Sequence, residues 1–177
     1  MEEQELEQLA TTRAVKPTNY ILIFLESLIV LACILFFVNS ASISVNVVHG
    51  ESMQPTLYEN DKGVTVSYDG QELSRYDFVI AAIELNGTNE LIVKRLIGLP
   101  GDHVVIKNNC LYINGVETSE PYLATQMCTD DLDVCVPKDC YFLLGDNRSI
   151  SYDSRYFGCL PDTCIMGKFY PITHTQD

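Results

Sequence analysis

Asp77-Phe78-Val79-Ile80-Ala81-Ala82-Ile83 and Glu90-Leu91-Ile92-Val93-Lys94-Arg95-Leu96-Ile97-Gly98 are two apolar runs with Asn86-Gly87 between them. Short apolar runs rich in Val and Ile read as strands, and Asn-Gly between them is a hairpin or loop signal. The same reading extends outward. Ile43 to Val48 alternates in the β manner, as does Gly63-Val64-Thr65-Val66-Ser67-Tyr68, followed by the turn signal Asp69-Gly70. Leu99-Pro100-Gly101-Asp102 is a turn. His103 to Lys107 and Cys110 to Ile113 predict a second hairpin around Asn108-Asn109, with Asn114-Gly115 as the next turn. Ser119 to Cys140 is polar and acidic and reads as a loop or small subdomain. Tyr141 to Leu144 predicts a short strand ending at Gly145-Asp146-Asn147, and Cys164 to Tyr170 a last one. Many short strands with Gly, Asn and Asp turns predict a mostly β domain, coiled-sheet or barrel-like.

Ahead of these strands, Tyr20 to Val38 is almost wholly apolar. A helix that crosses a bilayer needs ~20 such residues, and the run exceeds the ~7–15 of a cleaved signal-peptide core. Residues 1–19 therefore read as a cytoplasmic tail, 20–38 as a single transmembrane helix and 39–177 as an external domain. The orientation follows from Arg13 and Lys16 before the span and the lack of Lys or Arg after it until Lys62. Glu26 interrupts the run. A carboxylate at mid-bilayer costs ~2.5–3.5 kcal/mol, less near an interface. Its place toward the cytoplasmic end fits a headgroup-level or protonated side chain, with a helix–helix contact as the alternative.

The chain has 177 residues and a formal net charge of −13. That charge argues against nucleic acid, whose binding needs a basic footprint. It also opposes electrostatic adhesion to anionic lipid, so contact with the lipid bilayer falls to apolar residues. Of 7 cysteines, Cys33 lies in the anchor. Cys110, Cys128, Cys135, Cys140, Cys159 and Cys164 lie in the external part, where a small disulfide-containing loop region is expected. Zinc is the weaker reading, because paired Cys-x-x-Cys knuckles and clustered histidines are lacking. No cofactor or metal is expected.

For chemistry, Gly50-Glu51-Ser52-Met53-Gln54-Pro55-Thr56-Leu57 places a serine in a turn-like stretch just past the anchor. The three histidines, His49, His103 and His174, sit in no recognisable triad setting. A lysine can serve as base only when neutral, which requires apolar burial. Lys94 fits, with Leu91-Ile92-Val93 before it and Leu96-Ile97 after it. Half neutrality near pH 8 requires a shift of ~2 units, about 2.7 kcal/mol. Either residue alone is weak: an isolated strand lysine usually faces solvent, and a loop serine is usually only a hydroxyl.

Four segments in order change that. They are Gly50 to Leu57, Lys94 to Asp102 (Lys-Arg-Leu-Ile-Gly-Leu-Pro-Gly-Asp), Leu111-Tyr112-Ile113-Asn114-Gly115 with Glu120-Pro121-Tyr122-Leu123, and Gly145-Asp146-Asn147-Arg148-Ser149-Ile150-Ser151-Tyr152-Asp153-Ser154-Arg155; Gly167-Lys168 follows. The chain resembles the bacterial type I signal peptidases, membrane-bound Ser-Lys proteases, from the anchor nearly to the C-terminus. The resemblance implies Ser52 as nucleophile, Lys94 as general base and Ser151 as the hydroxyl that orients the Lys94 amine. It implies that Asp153 and Arg155 hold that segment by a charge-assisted pair, joined by Asp146. Signal-peptide-bearing preproteins cut after an Ala-x-Ala site, near the secretion translocon, are the implied partners. Met53, Leu57 and Val93 are candidates for shallow apolar pocket walls, with ordinary core packing as the alternative. Two departures stand out. Arg75-Tyr76-Asp77 replaces the usual Arg-Gly-Asp, and Gly50 stands where some members carry an oxyanion-donating serine, leaving that task to the Ser52 N–H, with its neighbours as further candidates. A self-cleaving Ser-Lys repressor is opposed by the anchor and the acidic charge. An inactive relative, or a disulfide-rich adhesion domain, is opposed by intact Ser52, Lys94 and Ser151. A peptidase specialised for one cargo, such as pilin subunits, stays open.

Overall fold

The computed structural model describes residues 17–40, 43–85, 87–123 and 129–172. It divides into two units, Met1–Ser42 and Ile43–Asp177. In the first, helix α1 covers Pro17–Ser40. Proline opens it at no cost, since the first helical N–H groups have no intrahelical acceptor. Its stretch Tyr20–Phe37 has a mean hydropathy of 2.7 and is 0% buried, long and apolar enough to cross a membrane. Apart from Glu26 and Ser27 the stretch is apolar around its circumference, so it has no broad face suited to water.

The second unit is mostly β. Its strands are β1 (Ile43–Val47), β2 (Lys62–Ser67), β3 (Phe78–Leu85), β4 (Thr88–Gly98), β5 (His103–Lys107), β6 (Cys110–Ile113), β7 (Val116–Thr118), β8 (Leu132–Cys135), β9 (Cys140–Leu144), β10 (Leu160–Pro161) and β11 (Ile165–Pro171). They form a 7-stranded sheet in the order β1-β2-β11-β3-β4-β9-β10 and a 4-stranded sheet in the order β7-β6-β5-β8. Every pairing among the described strands is antiparallel. Among the described residues the strand order of each sheet is open, so these strands do not close into a barrel.

The β3–β4 hairpin forms as its sequence predicts, with Val79 opposite Lys94 and Phe78 opposite Arg95. The β5–β6 hairpin turns through Asn108 and Asn109, both at positive φ, which asparagine tolerates better than most residues. Three short strands, β7, β8 and β10, and a one-turn helix α2 (Ser154–Phe157) were not legible as periodic segments. The Asp153 side chain caps α2 by accepting from the Arg155 N–H at 3.2 Å.

Three apolar clusters hold the domain. One joins Val79, Ala81, Leu96 and Leu143 of the large sheet. A second joins Ile97 and Phe142 to Val104, Ile106 and Leu111 of the small sheet. The third, built from Val48, Met53, Leu57, Ile80 and Phe169, lies under the Ser52 segment. The expected disulfide-containing loop is not found: Cys110, Cys135, Cys140, Cys159 and Cys164 are free thiols, and Cys128 lies outside the described residues. Cys140 and Cys159 instead pack partly buried against the second cluster, as small apolar side chains do.

Candidate active site

Strand β4 presents Lys94 just beyond the last residue paired with β9, since Arg95 is opposite Leu144 and the chain turns at Gly145. Ser52 sits in the turn after β1, whose apolar residues Met53 and Leu57 insert into the third cluster and fix it. The two meet there. The Lys94 Nζ lies 2.6 Å from the Ser52 Oγ, in a strand position where Lys94 is 4% exposed. Burial lowers the Lys94 pKa to about 8. Asp153 and Asp146 oppose that shift and Arg155 favours it, but loss of solvation outweighs all three. Near neutrality an appreciable fraction of this amine is unprotonated and able to accept a proton.

The late segment wraps both residues. Asn147 donates its backbone N–H to the Ser52 carbonyl at 3.0 Å and its Nδ2 to the Glu51 carbonyl at 3.2 Å. Gly145 permits this approach: a Cβ there would stand 2.1 Å from the Ser151 Oγ and 2.6 Å from the Ser52 carbonyl oxygen. Only the missing side chain allows three segments to converge at this point. Ser151 is buried beside them, and its Oγ has no hydrogen-bond partner among the described residues.

Asp153 is fully buried. It accepts from the Arg155 Nε at 2.8 Å and Nη2 at 2.9 Å, and from the Gly145 N–H at 3.0 Å. The expected Asp153–Arg155 pair is therefore present. Arg155 also donates to the Ser151 carbonyl at 3.2 Å. Asp146 does not join that pair. It accepts from the Arg95 Nε at 2.8 Å, and from Arg95 Nη2 and the Thr56 hydroxyl. The difference has a simple cause: Arg95, opposite Leu144 in the register, points into the turn that Asp146 occupies. The Arg95 guanidinium is sandwiched by the rings of Phe78 at 4.5 Å and Tyr122 at 3.9 Å. Arg95 and Thr56 were not singled out as site residues. Both lay within the matched segments, but nothing local in the sequence told of a partner 51 or 90 residues away.

A cleft of about 600 Å³ opens at the pair, lined by β1 and the residues that follow it on one side and by Glu90 to Lys94 on the other. Val93 lines it. Met53 and Leu57 do not: both are 0% exposed and belong to the core beneath. The pocket-wall reading of those two side chains is corrected to core packing, because a turn this short needs buried anchors to stay in place. At the Arg75-Tyr76-Asp77 departure the chain keeps a glycine-like conformation, with Tyr76 at φ 74. Holding a tyrosine there costs on the order of 1 kcal/mol, offset by its ring contact with Tyr122 at 6.1 Å.

The sequence profile of the family described as "Signal peptidase, peptidase S26" matches residues 21–172. Among curated relatives, Signal peptidase I of Bacillus amyloliquefaciens is 48% identical over 122 residues, covering 62% of this chain and 63% of that protein. Signal peptidase I S of Bacillus subtilis (strain 168) is 42% identical over 149 residues, covering 73% of this chain and 78% of its own. Signal peptidase IB of Staphylococcus aureus (strain COL) is 33% identical over 175 residues, covering 86% of this chain and 91% of its own. With a buried lysine amine against a serine hydroxyl at its centre and the family profile running from the apolar helix to the last strand, this chain belongs to the signal peptidase family, peptidase S26, the serine endopeptidases that remove signal peptides from exported proteins.

Proposed function

We propose that this chain cleaves signal peptides from preproteins with Ser52 as nucleophile and Lys94 as general base. The observation that carries the reading is the 2.6 Å contact between Lys94 Nζ and Ser52 Oγ, made by an amine whose pKa burial lowers to about 8. Neutral Lys94 takes the Ser52 hydroxyl proton as Oγ attacks the scissile carbonyl. The tetrahedral oxyanion is met by the Ser52 backbone N–H, which no hydrogen bond engages among the described residues. The ammonium of Lys94 returns its proton to the leaving amine, and the acyl-enzyme forms. Lys94 then draws a proton from water, which attacks the ester and frees Ser52.

The substrate lies extended in the cleft. Along β4, residues 90–93 pair with β3 on one side, while β9 reaches only Arg95 to Gly98 on the other. That open edge, facing β1 across the cleft, suits addition of a peptide strand. Small side chains at the first and third positions before the cut, the Ala-x-Ala pattern, fit a shallow apolar wall that includes Val93. The apolar helix is the membrane anchor, with the N-terminus cytoplasmic and the β domain outside, near the translocon that delivers preproteins. Ser151 orients the Lys94 amine, and the Asp153–Arg155 pair holds the Ser151 segment.

The test is cleavage of a preprotein carrying an Ala-x-Ala site by the purified full-length protein. Ser52→Ala and Lys94→Met are each expected to abolish it. Wild-type turnover by either variant would refute the assignment.

A further inference from the structure

The turn after β9 is also held from a side that the Ser52–Lys94 pair does not explain. The Arg148 side chain is 3% exposed and that of Glu120 is 7% exposed. Arg148 donates through Nε to the Gly145 carbonyl at 2.9 Å. Its other two nitrogens meet both oxygens of the Glu120 carboxylate, Nη1 lying 3.2 Å from Oε2 and Nη2 bonded to Oε1. Glu120 belongs to the segment that follows the small sheet's β7, far from β9 in sequence. It accepts as well from the Tyr122 hydroxyl at 2.6 Å. Burial and the neighbouring carboxylate push the Tyr122 phenol up, so it remains a donor. The Tyr122 ring covers the Arg95 guanidinium that binds Asp146.

One carboxylate thus grips the turn twice: through Arg148 at Gly145, and through Tyr122 and Arg95 at Asp146. The next residue, Asn147, holds the Ser52 and Glu51 carbonyls. A two-pronged carboxylate–guanidinium pair fixes direction as well as distance. A buried pair is weak evidence of a stabilising role, because apolar side chains of similar size often serve as well. What such side chains cannot do is aim an arginine at the Gly145 carbonyl. We propose that Glu120 is a positioning residue for the nucleophile: its pair with Arg148 sets the Gly145–Asn147 turn, and that turn sets the Ser52 backbone against Lys94. The proposal rests on the reading of Ser52 and Lys94 given above.

The test uses the full-length protein in detergent with a preprotein substrate, comparing Glu120→Gln with the wild type for kcat, KM, melting temperature and pH profile. The expected result is a fall in kcat on the order of 10- to 100-fold, as for a small misplacement of reacting groups, with KM little changed. The acid limb of kcat/KM moves to higher pH, because a loosened turn admits water to Lys94, which Asp146, Asp153 and Arg155 also face. Glu120→Asp, which keeps the charge, recovers part of the lost kcat. Wild-type kcat with an unmoved acid limb overturns the proposal, even if the melting temperature falls. If Glu120→Gln does not fold, Glu120→Asp is judged by the same two criteria against the wild type. Ser52→Ala and Lys94→Met are assayed alongside. Turnover by either overturns the Ser-Lys reading, whereas inactivity of both with an unaffected Glu120→Gln overturns the positioning role alone.

Discussion

Burying a lysine amine is unfavourable, and at Lys94 the cost appears as a pKa lowered to about 8. Below pH 8 the amine is charged in the folded and the unfolded chain alike, and burial of that charge destabilises the fold. Between pH 8 and the ordinary lysine value of ~10.4 the unfolded chain binds more protons, so this contribution to stability rises with pH. Lys94→Met is therefore expected to abolish activity and, at pH 7, to stabilise the protein by ~3 kcal/mol, measured by urea denaturation. A loss of stability would contradict the burial argument. Ser151 offers a second separation of stability from activity. Its buried Oγ lacks a partner among the described residues, so Ser151→Ala removes an unsatisfied group and is expected to leave stability unchanged or raised. If the hydroxyl orients Lys94 during turnover, kcat falls on the order of 10- to 100-fold, the worth of one hydrogen bond to an ionised group. Ser52 and Lys94 could be singled out in the sequence because four segments stand in a recognisable order around them; the local surroundings of either residue alone were weak. The sequence did not reveal that Met53 and Leu57 are core, since a buried anchor and an apolar pocket wall are written with the same side chains.

Strand β4 is the element on which the site depends. Its residues Lys94 and Arg95 face opposite sides of the sheet, as neighbours on a strand must. One serves Ser52 and the other ties down the turn after β9. Breaking a buried ion pair on one side leaves an uncompensated charge, at a cost of about 3–5 kcal/mol. Asp146→Ala, which strands the buried Arg95, is expected to destabilise the domain by that amount in chemical denaturation and to reduce the folded yield. A cost below about 1 kcal/mol would mean that Arg95 finds water instead. The β3–β4 hairpin was readable because apolar runs flank an Asn-Gly signal. Strands β7, β8 and β10, of two to four residues, were not. Such strands are made by the neighbour they pair with rather than by their own pattern. At Tyr76 the reverse holds: the sequence departs from a glycine turn, while the backbone keeps the glycine conformation.

At the scale of the whole molecule, the described residues hold an apolar helix long enough to cross a membrane and a mostly β unit that carries the Ser52–Lys94 pair. Their order along the chain was plain from hydropathy alone. The state of the cysteines was not, because cysteine spacing permits disulfides without requiring them, and of the six cysteines after the apolar helix five are free thiols while Cys128 lies outside the described residues. In a chain of net charge −13, Lys94, Arg95, Arg148 and Arg155 are withdrawn from solvent into or around the site. The central claim is that a neutral, buried Lys94 activates Ser52. Its most direct test is kcat/KM of the full-length protein on a preprotein from about pH 5 to 9. The account predicts a rate that rises with pH as Lys94 loses its proton, close to tenfold per unit well below pH 8 and levelling near pH 8. A rate that stays flat down to pH 5 would contradict it.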